Sequence, residues 1–321
     1  AATILNTLDD NTTGAVNAAT VTTLTGLGGD INVSYASSGI TGLGDEAVTL
    51  SDITIDGAVL NTLDGNTTGA VSAATLTTIS GSAADANTAY ASNGITGLGD
   101  EIASISDVSI TASVLNTLDG NTTGEVNGTN LTTITGAAAD VNTTYASSGI
   151  TNLGNETVTI TDTSVAATVL STLDGNTTGT VNANTLNTIT GTAAEVLVAY
   201  ASSGISNLGT ENVTLSGTVS AADLTTLHAK SGNDKYNTPS ASGGYTSSGN
   251  SSGYSVSGAT ITEGDVATLL NIRGRIYCAV NITDTTVSAG DIYGKVFRCR
   301  QRASSTICCG KFEYFTILIR R

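Results

Sequence analysis

Residues 56–107 read DGAVLNTLDGNTTGAVSAATLTTISGSAADANTAYASNGITGLGDEIASISD, and this block recurs from the first residues to about residue 223. Leu5, Leu60, Leu115 and Leu170 follow one another at a constant step of 55, as do Tyr35, Tyr90, Tyr145 and Tyr200, with no insertion between them. The unit divides again. Laying VLNTLDGNTTGAVSAATLTTIS on DANTAYASNGITGLGDEIASIS brings Asn61 onto Asn87, Thr62 onto Thr88 and Ile79 onto Ile105, an offset of 26 that leaves 29 to complete the unit. A fixed period of this size marks a solenoid, here of coils of about 27 residues repeated about eight times, each contacting mainly its neighbours.

Within a coil, Val59, Leu60 and Leu63 have helical spacing and are followed by Asp64-Gly65, a natural helix stop. Val71, Leu76 and Ile79 lie among β-branched residues and are predicted to be strand. In the other half, Ala86, Ala89 and Tyr90 have helical spacing behind Asp85, while Ile102-Ala103-Ser104-Ile105-Ser106 and Val158-Thr159-Ile160-Thr161 alternate with strand period. Each coil is therefore expected to be a short helix followed by a parallel strand, stacked as an α/β solenoid on a right-handed path. The alternative is a pure β-helix, because Thr and Asn are poor helix formers. At roughly 4.8 Å per stacked strand, about eight coils make a rod of some 40 Å, so a fibre would need end-to-end assembly.

Aromatic residues make up 4% of the chain, Met and Trp are absent and Pro occurs once, a poor supply for a conventional core. Stacked Val, Ile, Leu and Ala suffice for the narrow interior of a solenoid. All 11 Lys and Arg fall between Lys230 and Arg321, whereas residues 1–229 hold 21 of the 27 Asp and Glu, so the array carries about −21 out of a total of −16. Such a surface repels nucleic acid and anionic membranes. Its own repulsion is screened over about 8–10 Å near 0.1 M salt, and bound divalent cations would relieve it locally. No apolar run is long enough for a membrane span, so none is expected. Ala1 lies inside a repeat, which suggests processing or a segment of something larger.

The array ends in a different composition. Residues 1–229 form the repeat solenoid, 230–258 a Ser/Gly/Tyr-rich linker or loop with the only proline, Pro239, and 259–321 a C-terminal cap or assembly segment. In that last segment Glu263 to Asn271 is expected as helix, and Arg275 to Thr283 and Asp291 to Arg298 as strands. All four cysteines, Cys278, Cys299, Cys308 and Cys309, lie there. From Arg273 on, nine basic residues face only Asp284, Asp291 and Glu313, about +6 beside an array of about −21. Opposite charges at opposite ends favour head-to-tail association into a homopolymer.

Four residue patterns are candidate sites. Glu46, Glu101, Glu156 and Glu211 recur at the same step of 55, joined by Asp45 and Asp100; stacked coils would set them in a row of hard oxygen ligands suited to Ca²⁺, or in an exposed acidic edge. The triplets Thr23-Leu24-Thr25, Thr78-Ile79-Ser80, Thr133-Ile134-Thr135 and Thr188-Ile189-Thr190, with Thr49-Leu50-Ser51, Ser104-Ile105-Ser106, Thr159-Ile160-Thr161 and Thr214-Leu215-Ser216, would form hydroxyl ladders resembling those of β-solenoid ice-binding proteins, or simply strands with polar outward positions. Asn6, Asn32, Asn61, Asn87, Asn116 and Asn142, one per half-unit, are expected to stack as an amide ladder. Asn-x-Thr/Ser sequons at Asn11, Asn66, Asn121, Asn176, Asn130, Asn142, Asn155, Asn212 and Asn281 allow glycosylation of a secreted chain. The single histidine, His228, has no nucleophile or carboxylate partner at a catalytic spacing, and no phosphate loop or metal triad occurs, so no enzyme is expected.

The repeat wording NTLDGNTTGxVNAxTxTTxTGTAADxNTAYASSGITGLG resembles the Thr/Asn/Gly-rich tandem repeats of very large cell-surface proteins of marine bacteria, cyanobacteria in particular. The resemblance covers residues 1 to about 220. It implies an exported, extended structural or adhesive segment at the cell surface and carries over no catalytic residue. The functions expected are thus a structural subunit of a surface filament, appendage or layer; a binding module for ice or carbohydrate, or an adhesin stalk; or a phage fibre.

Overall fold

The computed structural model describes residues 1–231, 235–237, 254–257, 275–277, 279–281 and 306–308. Its contacts divide the chain into two units, Ala1–Thr157 and Val158–Arg321, a boundary inside a repeat and not at the end of the array. Among the described residues the helices are α1 (Ala2–Asp10), α2 (Gly28–Ala36), α3 (Gly57–Asn66), α4 (Ala83–Ala91), α5 (Ala112–Asn121) and α6 (Ala138–Ala146) in the first unit, and α7 (Ala167–Asn176), α8 (Ala193–Ala201) and α9 (Ala221–Ser231) in the second. From α1 to α8 their first residues alternate in steps of 26 and 29, as the repeat offset requires. The α/β solenoid is the observed architecture, and the pure β-helix is not. Thr and Asn do enter the helices, because propensity differences of a few tenths of a kcal/mol per residue are outweighed by burial of one face.

Several helices begin where a side chain can satisfy a free amide. Asp56 accepts from the Ala58 amide at 2.8 Å, Ser82 from the Asp85 amide at 3.0 Å, and Thr192 and Glu195 form a reciprocal capping box. Helices this short, three turns or less, are marginal alone. These are held by a stripe turned into the coil: Leu60 and Leu63 in α3, and Ala83, Ala86 and Ala89 in α4, are buried. Gly65 is not the stop that its sequence suggests. The helix runs through it to Asn66, and the chain leaves at Thr67 in an extended conformation.

After each helix comes a two-residue strand and then a four-residue strand, as in Val71–Ser72 and Thr78–Gly81. The coils of the longer step add a third strand, Thr54–Asp56 or Ser109–Thr111. Strand pairing is parallel throughout the array, and the paired positions are 23 or 24 apart: Thr54 opposes Thr78, Thr78 opposes Ile102, and Ala103 opposes Val126. This step is shorter than half of the repeat. Each sheet therefore slides along the chain by one strand in every two coils and runs out. Thr23–Gly26, Ala47–Leu50, Val71–Ser72 and Ile95–Thr96 form one sheet; a further step of 24 from Ile95 falls inside α5, where no strand can receive it. The next sheet, Thr54–Asp56, Thr78–Gly81, Ile102–Ile105, Val126–Asn127 and Ile150–Thr151, begins one side further on.

The interior is Leu24, Val48, Leu50, Ile55, Leu60, Leu63, Val71 and their equivalents, joined by alanines. Strand alternation holds at Val158 and Ile160, both buried, but not from Ile102, which is 42% exposed while Ala103 and Ile105 face inward. Turns between strands need left-handed residues. Gly42 and Gly97 have φ of 84° and 82°, and Asn152 and Asn207 take over the same repeat position at 61° and 63°, Asn being the side chain that tolerates this region best.

In the second unit, Asn212–Ser216 pairs in parallel with Tyr254–Ser257, so the stretch expected as a linker contributes a strand to the last sheet. Arg275–Tyr277 pairs with Lys235–Asn237 in parallel, and Ala279–Asn281 pairs with Thr306–Cys308 antiparallel; Arg275–Tyr277 and Ala279–Asn281 both fall within the expected strand from Arg275 to Thr283. The expected helix from Glu263 to Asn271, the expected strand from Asp291 to Arg298, and Cys278, Cys299 and Cys309 lie outside the described residues. Among the described residues, no helix is long and apolar enough to cross a membrane.

Candidate functional site: the coil-to-coil clamps

The glutamate series does not form an exposed row. Glu46, Glu101 and Glu156 are fully buried and Glu211 nearly so, while Asp45 and Asp100 beside them are less enclosed. The paired Asp-Glu donor set expected for Ca²⁺ is thus split between inside and outside, because the two side chains of a local extended segment point to opposite faces. Each carboxylate instead fastens its own turn. Glu46 Oε2 accepts from the Tyr35 hydroxyl at 3.0 Å and the Gly44 amide at 2.8 Å. Glu101 accepts from Tyr90 at 3.1 Å and Gly99 at 2.9 Å, and Glu156 from Tyr145 and Gly154 at 2.9 Å each. Glu211 accepts from the amides of Gly209 and Thr210 at 3.0 Å. The second oxygens of Glu46 and Glu101 are buried without a protein partner. No group of three or more His, Cys, Asp and Glu side chains gathers among the described residues.

The glutamate turn also binds the next coil through its backbone. Thr67 Oγ1 donates to the Glu46 carbonyl at 2.7 Å, and Thr122 does the same to Glu101. Gly69 passes so close that a Cβ there would stand 2.3 Å from the Glu46 carbonyl oxygen. Burial is the main cause that pushes the Tyr35 hydroxyl up to about 12; the Thr67 hydroxyl offsets part of this and the Glu46 carboxylate adds to it. Tyr90 is pushed up as well, again chiefly by burial.

The asparagines link coils, but not amide to amide. Asn6 donates to the Asp30 carbonyl at 2.9 Å, Asn32 to Val59 at 3.0 Å, Asn61 to Asp85 at 2.9 Å, Asn87 to Val114 at 3.0 Å and Asn116 to Asp140 at 3.0 Å. In each case the acceptor is in the first turn of the following helix. A strand ladder brings identical amides into register at about 4.8 Å; stacked helices stand further apart and offer a carbonyl there. The amide oxygens take other partners, Asn66 reaching Asn32 at 3.0 Å and Asn121 reaching Asn87 at 2.9 Å. Asn142, the last of the series, lies in α6 at the same repeat position.

A third series was not expected from the sequence. Ser37, Ser92, Ser147 and Ser202 donate to Asp9, Asp64, Asp119 and Asp174 on the preceding helix, at 2.5 Å for the first, 2.7 Å for the next two and 2.6 Å for the last. A Cβ at Gly94, Gly149 or Gly204 would stand 2.1 Å from the same Asp oxygen, which explains glycine two positions after the serine. The constant step from Asp9 through Asp64 and Asp119 to Asp174 was the available signal.

The Thr-x-Thr triplets lie in the expected strands, their central residues inward. The sliding register breaks them as ladders. One column remains polar, Thr25 opposing Thr49, Thr49 opposing Ser72, and Ser72 opposing Thr96. The other is interrupted, Thr23 opposing Ala47 and Thr78 opposing Ile102. Of the sequons, Asn66 and Asn121 already use their amides between coils, Asn130 donates to the Ile105 carbonyl at 2.8 Å, and Asn155 is not buried. His228 falls in α9, and its side chain lies outside the described residues.

Comparison with protein-family models, curated proteins and solved structures returns no match.

Proposed function

We propose that the chain is an extracellular structural repeat protein, a subunit of a surface filament, appendage or layer that assembles head to tail, with no catalytic role. One observation carries this reading. The polar residues that recur at the repeat period, Asn, Asp-Ser, Glu-Tyr and Thr, bind one coil to its own turn or to the next coil. Side chains kept at fixed spacing for coil-to-coil bonds are what a stack under mechanical tension needs. A substrate site would instead concentrate unlike groups in one cleft. The array of about −21 and the basic C-terminal segment supply complementary charge for self-association, and bound Ca²⁺ would lower the repulsion between arrays. Glycans on accessible sequons such as Asn155 suit the same surface setting. An ice-binding module is less favoured, because Ala47 and Ile102 interrupt one of the two hydroxyl columns.

Electron microscopy of the purified protein, with Ca²⁺ and again with a chelator, tests the assembly. Long regular filaments in either condition support the reading, and their dissolution by chelator assigns the glue to the cation. Single short particles in both conditions would sink the polymer and leave a stalk or binding module.

A further inference from the structure

The outward face of α1 is a copy of a face that is covered everywhere else in the first unit. Leu8 occupies the repeat position of Leu63 and Leu118; both of those are 0% exposed, whereas Leu8 is 53% exposed and Ile4 71%. With Thr3, Thr7 and Asn11 these two side chains line a shallow groove.

The polar pattern of the face is also unmet, in the same way. Asn66 and Asn121 reach back to Asn32 and Asn87 of the preceding helix, but their equivalent Asn11 folds onto the Thr7 carbonyl of its own helix at 2.8 Å. Thr67 and Thr122 are buried and donate to the carbonyls of Glu46 and Glu101, but their equivalent Thr12 is exposed. The amides of Thr68 and Thr123 donate to Gly44 and Gly99 of the preceding coil at 2.8 Å each. Every one of these bonds has the same kind of partner, a coil of the 28–56 type: a short helix bearing Asn at its fifth position, a Gly-Leu-Gly-Asp-Glu turn and a strand.

We propose that this end face is a docking surface for a coil of the 28–56 type presented by another copy of the repeat. The incoming Asn would donate to the Ile4 carbonyl and accept from Asn11, its Glu-turn carbonyl would accept from Thr12, and its apolar residues would cover Ile4 and Leu8. The inference rests on the assembly reading for its setting, but it stands on the interior interfaces for its geometry.

The test extends the full chain. Ala1 is the repeat equivalent of Asp56, so a copy of residues 28–55 joined directly ahead of Ala1 keeps the repeat register. Amide hydrogen exchange in α1 is expected to slow about tenfold or more, as for a helix moved from a fraying end into the stack, and the unfolding midpoint to rise. Leu8→Asp should remove the gain in the extended chain while changing the original chain little, since Leu8 is exposed there. Unchanged exchange in α1, or an equal gain from a scrambled 28–55 segment, would overturn the proposal. So would dimers of the original chain that Leu8→Asp dissolves, because they would show the face pairing with itself. Absence of filaments in the microscope would overturn the assembly reading alone and leave this result standing.

Discussion

Glu101 shows how far a residue's chemistry depends on which way it points. Its carboxylate is fully buried and takes hydrogen bonds from Tyr90 and the Gly99 amide. Removing a donor from a buried charged acceptor costs about 1–3 kcal/mol, so Tyr90→Phe should lower stability by that amount without moving Asp100; denaturant unfolding of the two chains measures it. A hydroxyl whose pKa is raised on folding binds its proton more tightly in the native state, so its contribution is complete below the unfolded value near 10 and is lost as pH rises through the folded value. With Tyr35 pushed up to about 12, helix content is expected to hold to about pH 10 and to fall between about pH 10 and 12, in step with tyrosinate formation. Circular dichroism and ultraviolet absorbance recorded together check this; ionisation near pH 10 with helices intact would contradict it.

At the scale of the element, two glycines of one coil separate conformational need from free space. Gly65 lies inside α3, and a Cβ there would meet nothing within 4 Å. Gly65→Ala should therefore stabilise by up to about 1 kcal/mol, the difference between Gly and Ala in a helix interior. Gly69 has the Glu46 carbonyl 2.3 Å from where its Cβ would be. Gly69→Ala must push two coils apart and should destabilise by about 1–3 kcal/mol, the usual cost of overpacking. Thermal unfolding of the two variants should give opposite signs. Helix caps belong to the same scale: Ser82→Ala removes the acceptor of the Asp85 amide and is expected to cost about 1 kcal/mol.

For the molecule as a whole, charge sets the dependence on medium. The array holds 21 of the acidic side chains and no Lys or Arg, and self-repulsion of that kind opposes compact packing until salt screens it. The unfolding midpoint should rise from low to near-physiological salt, and scanning calorimetry at a series of NaCl concentrations measures it. A midpoint that falls over that range would show that specific ion pairs outweigh the repulsion.

The repeat period, the uneven split of each unit into two coils, the helix-then-strand order and the parallel sense were legible in the sequence, because a solenoid repeats its chemistry in register and each coil sees the same neighbours. The asparagine series was legible as a link between coils, since its spacing equals the coil, and the terminal change of composition marked the end of the array. Tertiary structure alone decided the partners. Asn amides found helix carbonyls because stacked helices stand further apart than strands; Glu46 and its equivalents turned inward because Tyr35 and the Gly44 amide wait there. Above all, the pairing step of 23 or 24 could not be read from a coil of about 27: it is set by how helices and strands of unequal rise fit around a common core, and that fit is what shifts each sheet and divides the Thr-x-Thr triplets.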